Sequence, residues 1–137
     1  MKSVLIVCAF TAVLAASAGP ASAHHGTGIS YDLEAPLVTL KGTVTEWRWA
    51  NPHVSLFLDV KDAEGKVVNW GIEHSNVNTL ARQGYNRNTL KSGQEVTVVV
   101  HPSRAGAPIG LTVKVILSDG KEILQRNQAG APEEGER

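Results

Sequence analysis

Between Val38 and Ile123 apolar residues recur at every second position in short runs. Val54, Leu56, Leu58 and Val60 alternate with Ser55, Phe57, Asp59 and Lys61, the pattern of a half-buried strand with Phe57 as its one exception. Val68, Trp70 and Ile72 repeat the pattern, as do Val96, Val98 and Val100, and then Leu111, Val113, Val115 and Leu117. Asp62-Ala63-Glu64-Gly65, Lys91-Ser92-Gly93 and Asp119-Gly120 supply the turns between runs, and Ile123 starts a short last strand. The stretch LKGTVTEWRWANPHVSLFLDV, Leu40 to Val60, reads as two strands meeting at a tight corner, Asn51-Pro52. In the first of these strands and just before it Val38, Leu40 and Val44 share one parity, while Trp47 and Trp49 have the other. A strand changes its buried face only through a bulge or a strong bend, so an irregularity is expected at Thr45-Glu46, with Gly42 easing the curvature.

The period turns helical once. Ser75 or Asn76 is placed to cap a short helix, Val77, Leu80 and Ala81 fall at helical spacing, and Gly84 is placed to end it. Leu90 is the expected plug before the next strand. Three strands, a short helix and two strands predict an all-β fold, a small five-stranded Greek-key barrel of the OB type. An open sandwich is the main alternative. Trp70, Leu56, Leu58, Val98 and Val113 are expected inside.

The ends of the chain follow other rules. Lys2, the apolar run Val4 to Ala15 and the small residues Ala21-Ser22-Ala23 have the form of a signal peptide cleaved after Ala23. That run is shorter than the ~20 apolar residues a membrane span needs, so no stable membrane anchor is expected after cleavage. The expected organisation is therefore a signal peptide over 1–23, a flexible arm over 24–36 that lies over the domain or moves freely, the barrel over 37–126 and a disordered tail over 127–137. Of the 137 residues, 114 remain in the mature chain, which is expected to be periplasmic or secreted. Its single cysteine, Cys8, leaves with the signal, so no disulfide supports the fold. Without Lys2, 12 basic residues face 13 acidic ones, a formal charge of −1. That balance disfavours nucleic acid as a partner and leaves a protein or a small molecule.

Three segments resemble an uncharacterised family of exported bacterial proteins, domain-of-unknown-function family 6152. They are the His24-His25 pair, LKGTVTEWRWANPHVSLFLDV, and LKSGQEVTVVVHPSRAGAPIGLTVKVILSDG. The Trp-x-x-x-Asn-Pro-His piece, Trp47 to His53, is the most specific. In the family pattern Ser and an aromatic follow the histidine pair, whereas Gly26-Thr27-Gly28 stands here. The resemblance implies the fold and export and carries no activity.

Cleavage after Ala23 would give candidate chemistry to the new chain end. The α-amine and imidazole of His24 close a chelate ring on one metal ion, and an amine with a pKa of ~7.7–8 loses its proton readily to a strong binder. Nitrogen donors in a planar set suit Cu(II), which heads the affinity order among divalent ions. His25 and His53 are candidates to complete the set. Against this stands a plainer reading, in which the histidine pair is solvated and His53 holds the corner by hydrogen bonds from its ring. His74, beside Glu73, reads as a surface pair or cap, and His101-Pro102 as a strand end. Trp47, Trp49 and Phe57 form a candidate ligand surface, since OB-type barrels bind through exposed aromatics; core packing is the competing role. Ser55, Ser75 and Ser103 lack His and Asp partners at a motif spacing, and no glycine-rich phosphate loop precedes a helix. The expectation is a non-catalytic binding module, with copper as its candidate cofactor. A metal-free aromatic module is the second reading, and a copper redox enzyme the third.

Overall fold

The structure is a computed structural model, and it describes residues 27–124. The expected signal peptide, His24, His25 and the tail from Asn127 lie outside the described residues. Eight elements follow in order: α1 (Thr27–Ser30), β1 (Val38–Arg48), β2 (Ser55–Lys61), β3 (Val67–Glu73), α2 (Val77–Arg82), β4 (Glu95–Pro102), β5 (Ile109–Leu117) and the two-residue β6 (Glu122–Ile123).

The strands run β3-β2-β1-β4-β5-β6, and β3 also pairs with β5, in parallel, through Gly71–Ile109, Ile72–Gly110 and Glu73–Leu111. That pairing closes the sheet into the five-stranded barrel, so the open sandwich is excluded. Alternation then sorts the side chains: Val54, Leu56, Leu58, Val98, Val100 and Val115 are fully buried, and their neighbours face out.

The long first strand changes face where the sequence predicts. Val44 pairs with Leu58 and Glu46 with Phe57, which leaves Thr45 as the extra residue of a bulge. After it Trp47 pairs with Leu56 and takes the inward side at the end of the barrel. Gly42 is needed for close approach more than for curvature: a Cβ there would collide with the Asp59 carbonyl oxygen of β2.

α2 closes this end of the barrel. The Asn76 side chain accepts from the Thr79 N–H at 2.9 Å as its N-cap. Leu80, Leu90 and Leu124 pack into the core, with Trp47, Trp49, Val77 and Tyr85 against them. Gly84, at φ 87°, ends the helical turn.

Two core expectations need correction. Val113 is half-buried and outside the core, because β5 carries a second bulge. Val99 pairs with Lys114 and Val100 with Thr112, so Val113 is the extra residue, and Gly110, Leu111, Thr112 and Val115 are the buried positions of this strand. Trp70 points inward beside Leu58 but is only half-buried, packing at the margin of the core.

Candidate ligand-binding site

The Asn51-Pro52 corner has a cis peptide bond and is tied to the chain before α2. The Val54 N–H donates to Ser75 O at 3.1 Å, and the His74 N–H to Val54 O at 2.9 Å. These bonds hold the corner against the end of β3, and His53 projects from it. The His53 side chain is half-exposed, and its Nδ1 lies 3.1 Å from Oε1 of Glu73. The other oxygen of that carboxylate accepts from the Tyr31 hydroxyl at 2.8 Å. The Glu73 carbonyl in turn accepts from the Thr112 hydroxyl at 2.8 Å, which fixes the end of β3 to β5.

Tyr31 belongs to the arm, and the arm from residue 28 to residue 32 is strapped to the barrel. Tyr31 forms a β-bridge with Ser103 and is buried. The Asp32 N–H donates to Pro102 O at 2.9 Å, and the Arg104 N–H to Ser30 O at 3.1 Å. The Arg104 guanidinium reaches Gly28 O at 2.8 Å and the Asp32 carboxylate at 3.7 Å.

Tyr31, Pro52, His53, Phe57, Glu73 and Ile109 line a cavity of about 340 Å³ on the outer side of β3. Gly71 leaves this space open, since a Cβ there would stand 3.3 Å from the Phe57 ring. Arg48 covers the ring at 4.7 Å and is itself held by the Glu46 carboxylate at 2.9 and 3.0 Å. An imidazole that donates from Nδ1 to a carboxylate presents its Nε2 lone pair outward, the arrangement that orients histidine ligands of metal ions.

The candidate residues separate into two places. His53 and Phe57 share this cavity. Trp47 and Trp49 form a pair with ring centroids 5.9 Å apart at the α2 end, where Trp47 donates its indole N–H to Asn86 O at 3.0 Å and meets the His74 ring edge-on at 5.2 Å. Phe57 is not brought to them, because it faces outward opposite Glu46 while Trp47 faces inward opposite Leu56. His74 is buried rather than on the surface, on the face opposite Glu73. His101 is half-buried in register with Leu111. Among the described residues no three His, Cys, Asp or Glu side chains stand together in a metal-binding arrangement.

Glu73 and Tyr31 are the site residues that the sequence pattern does not single out. They are 42 positions apart, so no local spacing joins them, and Tyr31 is a lone aromatic in a stretch without periodicity.

The fold and the site define a small five-stranded barrel of the OB type with an N-terminal strap and a histidine–glutamate pair at its first corner. Within that class, the chain belongs to the Family of unknown function (DUF6152), whose model matches residues 12–113. No curated protein matches it.

Proposed function

We propose that the chain is an exported, non-catalytic binding module whose site joins the mature N-terminus to His53, and that this site takes Cu(II). The observation that carries the reading is the shared carboxylate of Glu73, which binds His53 of the corner and Tyr31 of the strap at once. His24 is three residues before Thr27, and three residues of extended chain span about 10 Å. In this reading a chain beginning at His24 would carry its α-amine and imidazole toward the corner, since Tyr31 of the strap already meets His53 through Glu73. His53 would supply Nε2, with Glu73 orienting the ring, and His25 a further imidazole. A metal-free module stands second, favoured by the apolar walls that Pro52, Phe57 and Ile109 give the same cavity.

Isothermal titration with Cu(II) against a competing chelator tests the first reading. The protein beginning at His24 should bind one ion much more tightly than the same protein with one added N-terminal residue, because a peptide bond removes the amine. His24→Ala and His53→Ala should each weaken binding. Glu73→Gln should weaken it by about 10–100-fold, as loss of the partner of a metal-bound histidine does. Equal affinity in the mature and extended proteins would overturn the copper site and move the metal-free reading to first place.

A further inference from the structure

Among the described residues, a second cavity lies toward the end of the barrel away from α2. There Leu40, Val60, Val68 and Trp70 point inward and, with Pro108, line a space of about 460 Å³ that also touches Thr39 and Gly106. The cavity shares Leu40 and Val60 with the core cluster. It lies on the inner face of β3, whereas the His53 cavity lies on the outer face. Pro108 is held in place by its carbonyl, which accepts from the Gly71 N–H at 3.0 Å, so this wall is fixed to β3. Cavities of roughly 300–1,000 Å³ with mostly apolar walls and few polar groups, in the mouths of β-barrels among other places, are where small ligands bind.

The rim supplies the polar component. Lys61 and Asp62 both line it. Asp62 is engaged in its own turn, accepting from the Glu64 N–H at 3.1 Å and the Lys66 N–H at 2.8 Å. Lys61 is exposed and makes no ion pair among the described residues. Lys61 is therefore the cation at this mouth that is free to donate to a bound anion, and the Asp62 carboxylate, turned to the Glu64 and Lys66 N–H groups through Oδ1, keeps its own negative charge. We propose that this mouth binds a small amphipathic anion, its apolar body against Trp70, Val68 and Leu40 and its carboxylate head at Lys61. The site is separate from the one built on His53 and does not depend on it.

Calorimetric titration with decanoate and, as its uncharged counterpart, decanol tests the proposal, with the indole fluorescence of Trp70 followed in parallel. Decanoate should bind saturably, one per chain. Lys61→Ala lies on the surface and should leave the fold intact; it should weaken decanoate by about fivefold, the upper range for an exposed ion pair, and leave decanol unchanged. Val68→Trp should fill the mouth and abolish binding of both. His53→Ala should change neither. If Val68→Trp does not fold, Lys61→Ala and the decanol comparison still decide. Absence of saturable binding, or decanoate affinity unaffected by Lys61→Ala, would overturn the proposal.

Discussion

Gly42 on β1 and Leu56 on β2 mark the two limits of packing in one strand pair: the first position has no room for a methyl group, the second no tolerance for losing its side chain. Replacing Gly42 with Ala forces β1 and β2 apart at the Asp59 carbonyl, and overpacking of this kind costs about 1–3 kcal/mol. Leu56 is fully buried, so Leu56→Ala should cost about 2–5 kcal/mol. Val113→Ala should cost clearly less, since the bulge of β5 puts that side chain at the half-exposed surface. Urea unfolding of the three variants checks the order, and an equal loss at Val113 and Leu56 would contradict the register of β5. At this scale the sequence revealed what repeats and concealed what meets only in space. Leu56, Leu58 and Val98 were legible because alternation is a local property. The link from His53 through Glu73 to Tyr31 was not, because it joins a corner, a strand end and a strap that only the closed barrel brings together.

Among the elements, the two bulges show where pattern reading works. The bulge at Thr45 was visible because large apolar residues flank it with opposite parity, so the sequence itself shows the change of face. The bulge at Val113 was hidden because Leu111, Val113, Val115 and Leu117 keep an unbroken alternation of apolar residues, while the strand buries a threonine at position 112 instead. The Thr112 hydroxyl is satisfied by the Glu73 carbonyl, which is how a polar residue comes to occupy a buried place. α2 is short and relies on its cap. Asn76→Ala should lower stability by about 1 kcal/mol, measured by thermal melting, with a smaller loss meaning that packing of Leu80 carries the helix alone. The strap depends on Arg104 at both its backbone and its guanidinium. Arg104→Ala should speed amide hydrogen exchange across residues 28–32 while the barrel strands keep their protection. Exchange that rises equally in β1 and β4 would mean that the strap is part of the cooperative core.

For the molecule as a whole, the order of strands and the position of the helix were enough to name the barrel, because few topologies accommodate three strands, a helix and two strands. The contact that makes the closure was not itself legible: the parallel β3–β5 pairing involves only three residue pairs and leaves no local signature. Removal of residues 24–37 should leave a folded barrel that melts cooperatively, since the core cluster draws none of its members from the described part of that segment, residues 27–37. The export proposal has its own measurement. Protein recovered from the periplasm should begin at His24 on N-terminal sequencing, and a recovered chain that still begins at Met1 would remove both the proposed location and the chelating amine.

The place of β1 has a consequence in time. It lies between β2 and β4, and Val38, Leu40 and Gly42 find their second partners in Val100, Val98 and Val96. The whole of β2, β3 and α2 is synthesised between those partners. A chain emerging from its N-terminus can form the β1–β2–β3 meander early, yet one side of β1 keeps its amides and carbonyls bare until β4 has emerged as well. Pairings between such distant segments form slowly, and an unpaired strand edge invites other chains to add to it. A chain stopped at Gln94 should therefore aggregate rather than behave as a smaller folded unit, and light scattering of that fragment beside the full chain would show it.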